Sequence, residues 1–492
     1  MLTSKLLDIT SSVHVVLPEL ALALLVIVLL IGYLVFASKI SKLLPWFAIV
    51  GLVLVCGLEL SNMFQLALTG FHETVRVDGL SRLLKLLFLL SLIITIWFNE
   101  SSFYSKNKME SSVEFYILLI SMLLGIDLMI ISRNLLLLFL GLELVGLSSF
   151  AITLFRNTNK SKEAGIKYLL FGVFSSAIML YGMSFLYGFT GSLSYSTAQL
   201  TEMPVLLGFS FLLLSVGALF KLSGFPFHIW VPDVYEGASL PVVSFFSFAP
   251  KVAGLSVLFI FISNAFPDLS TQLIGNLTFV RFLSLIAILT ISIGNFVALK
   301  QTNVKRLLGY SSIAHAGFLL IAVVAGYENG INSFLFYVIT YVVINFTAFI
   351  SISWLIKSAK SEVISDFAGL GRQYPLLGII VLTSMVALIG LPPTSGFLAK
   401  LYLFTSLWET WSVSHQTILM VLFIVGLMNT VVSLFYYLKI PFFMFFKSRE
   451  TEDYVKVKTL DQIILVSIAI FIILQFIFAE QFIVFIKALI NT

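Results

Sequence analysis

Apolar runs of about twenty residues recur along the chain, parted by short polar stretches. A helix needs about 20 such residues to cross the hydrocarbon of a bilayer, and it satisfies its own backbone groups there. The pattern predicts fourteen spans, at 15–37, 45–64, 78–98, 112–132, 134–155, 163–189, 205–228, 240–263, 279–299, 306–326, 331–357, 376–407, 416–440 and 460–487. The twelfth is too long for one crossing. It contains Gly390-Leu-Pro-Pro-Thr-Ser-Gly396 and reads as two half-helices around a bend. The seventh meets a similar interruption at Gly224-Phe-Pro226, beside Lys221.

Loop charge alternates with the spans. Loops after odd-numbered spans hold Lys39 and Lys42; Lys106 and Lys108; Arg156, Lys160 and Lys162; Lys300, Lys305 and Arg306; Lys357, Lys360 and Arg372; and Lys447, Arg449, Lys456 and Lys458. The loop after span seven, with Asp233 and Glu236, is the exception. Loops after even-numbered spans hold only the strays Arg76, Arg133 and Arg281. By the positive-inside rule the basic loops face the cytoplasm or matrix, and both termini lie outside. The alternation supports the count of fourteen independently of hydropathy.

Spans four to eight and nine to thirteen share a layout, each with a broken fourth helix. Five is odd, so successive units must lie inverted in the membrane. The expected fold is therefore all-α and polytopic, with fourteen transmembrane helices, two inverted five-helix repeats (helices 4–8 and 9–13) and broken helices 7 and 12. One membrane domain covers 1–492: three N-terminal helices over 1–111, the repeats over 112–263 and 279–440, and a loop with the last helix over 441–492.

Composition agrees. The chain of 492 residues is 59% hydrophobic and 11% charged, against about 25% charged in soluble domains. Its net charge of +5 is a topology signal and no pointer to nucleic acid. The lone cysteine, Cys56, excludes disulfides and cysteine-ligated iron–sulfur or zinc sites. The first apolar run is long enough to span and lacks a cleavage pattern, so no signal peptide is expected.

Charged residues inside apolar spans carry the candidate chemistry, because burying them is expensive unless something uses or neutralises them. Glu143 lies mid-span and calls for a cation on a neighbouring helix, either Lys221 or Lys167. At ~4 Å and an effective dielectric near 20 such a pair gains about 4 kcal/mol, comparable with the desolvation it must offset. That balance lets a pair open and close, shifting the proton affinity of its lysine. The plain alternative is a static pair that fixes helix packing. Lys251, at the centre of span eight, has no carboxylate in its own helix and suits a proton relay better than snorkelling. Lys400 follows the second break and reads the same way. His315 fits a relay or a hydrogen-bonded packing group equally. Ser148, Ser149, Ser175, Ser176, Ser311 and Ser312 offer places for ordered water, though small polar residues also pack helices. His228, Asp233 and Glu236 lack the second histidine a metal site would want. No nucleotide loop or haem-ligating histidine pair is present.

Several motifs together resemble one family. They are Leu142-Glu-Leu144, Lys167-Tyr-Leu-Leu-Phe-Gly172, the long stretch from Phe220-Lys-Leu-Ser-Gly-Phe-Pro-Phe-His to Glu236-Gly237, Pro250-Lys251, Lys305-Arg-Leu-Leu-Gly-Tyr-Ser-Ser312, and Gly390 to Lys400. In order and spacing, from about Glu114 to Tyr437, they resemble the antiporter-like membrane subunits of respiratory complex I. The Lys in Ala399-Lys400-Leu401 and the end of the chain after span fourteen are most similar to the subunit N branch.

The resemblance implies a proton-translocating subunit of NADH:quinone oxidoreductase in a bacterial plasma membrane or, as second choice, a mitochondrial inner membrane. Glu143 and Lys221 would be its charge pair, Lys167 a modulator, Lys251 the central relay, His315 a bridge and Lys400 the exit-side group. NADH, FMN, iron–sulfur clusters and quinone would be bound by other subunits, leaving this chain without a cofactor. Its partners would be the complex's other membrane and peripheral subunits, especially neighbouring antiporter-like and small membrane subunits, and the bilayer. Phe318 departs from the family, where Tyr is common after Ala-His-x-Gly. A subunit of a multisubunit sodium/proton antiporter or membrane-bound hydrogenase would share these motifs. A solute carrier would want substrate-sized polar groups around a cavity, and a mere scaffold would not need six titratable groups in apolar sequence.

Overall fold

The computed structural model describes residues 12–36, 43–195 apart from 102, 106 and 108, 204–265, 272–274, 277–448 and 457–490. Of the basic loop residues named above, Lys39, Lys42, Lys106, Lys108, Arg449 and Lys456 lie outside the described residues.

The described chain is almost wholly helical. In order the helices are α1 (Leu17–Phe36), α2 (Leu44–Ser61), α3 (Gly79–Glu100), α4 (Val113–Ile131), α5 (Leu135–Thr153), α6 (Asn159–Thr190), α7 (Pro204–Leu222), α8 (Trp230–Gly237) and α9 (Leu240–Ala265). They continue as α10 (Phe279–Leu299), α11 (Val304–Val324), α12 (Gly326–Ala359), α13 (Pro375–Ile389), α14 (Ser395–Ser414), α15 (Thr417–Phe446), α16 (Thr459–Ile477) and α17 (Ala479–Ile490). Among the described residues, twelve helices are long and apolar enough to cross a membrane. Leu206–Leu222 and Pro375–Ile389 are apolar but shorter, because each ends at a break.

Two details depart from the expected pattern. The final span is not one helix: it divides at Phe478 into α16 and α17. The chain is also not purely α. Antiparallel hairpins β1–β2 (Leu68–Gly70, Val75–Val77) and β3–β4 (Gln272–Ile274, Leu277–Thr278) fill the connections before α3 and α10. Both occupy short polar linkers, where paired backbone satisfies groups that the helices leave free.

Helix starts are fixed by side chains that accept the orphan amides of the first turn. Asp78 caps α3 and Thr158 caps α6, each in a reciprocal box with the serine three residues on. Asn134 caps α5, Thr278 caps α10, and Asn303 accepts from the amides of both Lys305 and Arg306 at the start of α11. Helices α9, α11 and α12 form the centre and are buried nearly throughout. Helices apolar on every side belong in such a place. By contrast α1, α2, α15 and α16 present long rows of exposed leucine, isoleucine, valine and phenylalanine, as lipid-facing helices do.

The two breaks are built differently. After α7 the turn is made by Ser223 at φ 61°, and Gly224 donates to the carbonyl of Leu219 at 2.8 Å. The Trp230 indole of α8 reaches back to the Phe220 carbonyl at 3.2 Å, and Thr290 of α10 accepts the amide of Phe225 at 2.9 Å. After α13 the left-handed residue is Gly390, φ 84°. A side chain there would be strained and would also meet Lys400, whose Cδ lies 2.9 Å from where a Cβ would sit.

Candidate functional site

Lys221 closes the last turn of α7 just before its break, and it is 1% exposed. Its ammonium lies 3.4 Å from the Tyr168 hydroxyl of α6 and 5.5 Å from the centres of the Tyr168 and Phe220 rings. Gly146 of α5 makes room for it: a Cβ there would stand 3.3 Å from Nζ. The same cleft is lined by Glu143, Gly172, Val173 and Ser176 and has a cavity volume of about 30 Å³. Glu143 and Lys221 thus face one space from different helices, but they form no ion pair within 4.0 Å. The expected pair is open here.

Lys167 is not a partner for Glu143. It lies at the rim, bridging Glu163 at 2.7 Å and Asp233 of α8 at 2.8 Å. The reason is its place two turns into α6, which leaves it on the basic face and 39% exposed. There it joins a network: Arg306 contacts both Asp233 and Glu236 at 3.0 Å, Lys160 meets Glu236 at 2.6 Å, and Lys305 meets Glu362 at 2.5 Å. Burial alone would raise the acids of α8. The Lys167 ammonium and Arg306 guanidinium nevertheless hold Asp233 below the usual carboxylate range, and Lys160 with Arg306 does the same for Glu236. These acids tie α8 to α6 and α11 through cations, so they are not free to serve with His228 as metal ligands.

Lys251, near the middle of α9, follows Pro250 and is 2% exposed. It donates to Ser312 Oγ of α11 at 2.8 Å and stands 5.7 Å from the Tyr235 ring of α8. Ser312 is followed one helical turn on by His315, and its neighbour Ser311 bonds the Tyr437 hydroxyl of α15. That hydroxyl also lies 3.0 Å from His315 Nε2, while Nδ1 lies 2.6 Å from the Tyr337 hydroxyl of α12. Both ring nitrogens of His315 are therefore partnered, and the Tyr341 ring lies 4.9 Å from its own.

His315, Tyr337, Thr340 and Tyr341 line a small cavity with Lys400, of about 10 Å³. Lys400 is 5% exposed and turns back toward the break, donating to the terminal carbonyls of α13, Ile389 at 2.7 Å and Leu388 at 3.3 Å. A cation at a helix C-terminus is favoured by the dipole and satisfies orphan carbonyls. Phe318 lies beneath it with its ring centre 4.7 Å from Nζ. The residue that departs from the family pattern thus contacts the lysine through a π face, a contact that accepts positive charge without exchanging a proton.

Five of the six expected residues therefore line two cavities and the hydrogen-bonded bridge beside them, while Lys167 sits in the rim network. The expectation missed Tyr168, Tyr337, Tyr341 and Tyr437. A signal was present, since Tyr337 and Tyr341 stand four residues apart within one span and so on one helix face. A hydroxyl in such sequence needs a buried partner.

Sequence and fold comparisons agree with this geometry. The family described as NADH:quinone oxidoreductase/Mrp antiporter, TM, matches residues 132–430. NADH-quinone oxidoreductase subunit N of Trichlorobacter lovleyi is 35% identical over 90% of this chain and 89% of its own length. The chloroplastic NAD(P)H-quinone oxidoreductase subunit 2 of Mesostigma viride is 37% identical, over 89% of this chain and 87% of its own. Among solved structures, a chain of respiratory complex I from Thermus thermophilus superposes with a TM-score of 0.79 at 28% identity, covering 95% of this chain and 98% of that one. The chain belongs to the NADH:quinone oxidoreductase/Mrp antiporter family of transmembrane proteins.

Proposed function

We infer that the chain is a proton-translocating membrane subunit of an NADH:quinone oxidoreductase, of the subunit N type. The observation that carries this reading is a row of polar and ionisable groups that leads from the half-buried Glu143 into the buried centre of the fold. It runs from the Glu143–Lys221 cleft past Lys251–Ser312 and the Ser311–Tyr437–His315–Tyr337 bridge to Lys400. Each member can hold or hand on a proton, and the Glu143–Lys221 cleft has room for about one water.

Quinone reduction elsewhere in the complex closes the Glu143–Lys221 pair. A carboxylate beside the ammonium favours its charged form, and reopening releases the proton toward Lys251. Lys251 passes it through Ser312 and the tyrosine–His315 bridge, and Lys400 delivers it on the far side. Lys167 modulates through α8, by way of Asp233, and not by touching Glu143. Transfer of one charge against the membrane requires ~2.3 kcal/mol per 100 mV, within the range of a switched ion pair.

On this reading α7 and the α13–α14 pair each complete a crossing, which gives fourteen. The two broken helices occupy corresponding places in inverted five-helix repeats. The electron carriers NADH, FMN, iron–sulfur clusters and quinone are held by other subunits. The exposed apolar rows of α5 and α6 beside the Glu143 cleft offer a seat for neighbouring antiporter-like or small membrane subunits. The relatives named subunit N and subunit 2 at about this chain's full length favour the quinone-linked role over the Mrp antiporter.

The test is proton pumping in vesicles with NADH oxidation followed in parallel, for Lys221→Ala and Lys251→Ala against wild type. Loss of pumping with the complex assembled is expected for both. Unchanged pumping in either would make that lysine a packing residue.

A further inference from the structure

A second group of buried ionisable residues lies outside that row, among the first four helices. Lys85 of α3 is 0% exposed, with Nζ 2.7 Å from Glu19 Oε1 of α1 and 2.6 Å from Glu59 Oε1 of α2. The contacts are close ion pairs and not well-directed hydrogen bonds. Glu19 and Glu59 are themselves 3% and 1% exposed. Asp127 of α4 is 0% exposed and within electrostatic reach of Lys85, Glu19 and Glu59, yet neither of its oxygens has a hydrogen-bond partner among the described residues.

The charge count is informative. Arg82, one turn before Lys85, is 1% exposed, acts on Glu59 and donates to the carbonyls of Gln65 and Leu66. Three carboxylates against two cations leave one negative charge in excess, in a setting where an uncompensated charge is strongly disfavoured. Among the described residues, Lys85 is the one cation that acts on Asp127. Of the elements packed on α4, α5 carries only Glu143, which faces the Lys221 cleft, and α9 only Lys251, bonded to Ser312. Arg76 of β2 and Arg133, just after α4, are both paired with Asp78, and Glu110, in the turn before α4, is paired with Tyr104 and Asn107. The lysine already occupies the space between Glu19 and Glu59 where a metal cation would sit.

We propose that Glu19, Glu59, Lys85 and Asp127 form a proton-binding site, with Asp127 the acid that holds the proton. The site exchanges with water on the face opposite the basic loops. Glu19 opens α1, Glu59 is near the end of α2, Lys85 lies in the second turn of α3 and Asp127 is near the end of α4, so all four approach that face. Asp78, Arg82 and Lys85 follow at steps of four and three along α3, a polar stripe from the partly exposed cap Asp78 down to the cluster. The site is distinct from the central row and gives the N-terminal helices a chemistry of their own.

Infrared difference spectra of the assembled complex, with and without Asp127→Asn, test this. Asn reproduces the neutral acid, so assembly and NADH oxidation should persist. The wild type should show the C=O stretch of a buried carboxylic acid that shifts in D2O and is lost in the variant. Absence of any such band from the wild type would mean that Asp127 is ionised and the cluster is a static clamp for α1 and α2. A band insensitive to D2O would overturn the exchange with water. Should Asp127→Asn fail to assemble, Asp127→Glu keeps the acid and must move the band; an unmoved band overturns the assignment.

Discussion

Two lysines sit beside two helix breaks, and their surroundings differ. Lys221 ends α7 inside a cleft, against aromatic faces and a distant tyrosine hydroxyl, with Glu143 across an open space. Lys400 begins beyond its break and reaches back to fixed carbonyls at 2.7 and 3.3 Å. A carboxylate on another helix can approach or withdraw; the end of a half-helix cannot. The first arrangement therefore makes proton affinity adjustable, and the second gives a lysine a constant environment. One device in sequence, a lysine next to a glycine–proline interruption, serves two electrostatic purposes.

The sharpest way to break this comparison is Lys221→Arg. Arginine keeps the positive charge for Glu143 but does not release a proton. Pumping by the assembled complex should fall at least tenfold, equivalent to about 1.4 kcal/mol or more on the limiting step. If pumping persists, the switch is not a proton switch. A smaller loss is expected from Tyr437→Phe, which keeps the ring and removes the hydroxyl between Ser311 and His315. Proton transfer should slow several-fold at unchanged quinone affinity, readable as turnover against quinone concentration.

The breaks themselves can be set against each other by stability. Gly390→Ala places a side chain at φ 84° and against Lys400, and should destabilise by about 1–2 kcal/mol. Ser223→Gly relieves a left-handed serine at φ 61° and should leave stability unchanged or raise it by up to about 1 kcal/mol. Thermal unfolding of the detergent-solubilised complex separates the two. The smallest effect concerns pH. Asp233 and Glu236 are held below their usual range, so their contribution to docking α8 is complete at neutral pH. It fades as pH falls below about 4, through the folded-state values, because the unfolded carboxylates take up protons first. Amide exchange over Trp230–Gly237, corrected for its intrinsic pH dependence, should accelerate on acidification; protection that persists would mean packing alone holds α8.

Much of this is legible in the sequence. Proline and glycine in long apolar runs marked the breaks at Gly224 and Gly390, and mid-span charge marked Lys221, Lys251 and Lys400, because position within a span limits how far a side chain can snorkel. Lys167 misled for the converse reason: two turns from the start of a long helix, it could reach either Glu143 or the surface. Glu19, Glu59, Lys85 and Asp127 escaped notice on the same ground. Each lies near a span end, where charge is cheap, and only the packing of four helices turns them inward toward one another. The tyrosine bridge needs three-dimensional proximity between α11, α12 and α15, which local sequence does not specify.

The break after α13 also bears on how the chain enters its membrane. With fifteen residues, α13 is about 22 Å long, short of the ~30 Å hydrocarbon thickness. Alone it cannot settle across the bilayer, and its last carbonyls would be stranded in lipid. Only when α14 follows does Lys400 arrive to cover them. The segment Pro375 to Ser414 is therefore expected to leave the insertion machinery as a unit, with Lys400, proposed above as the exit-side proton carrier, acting first as its fastener.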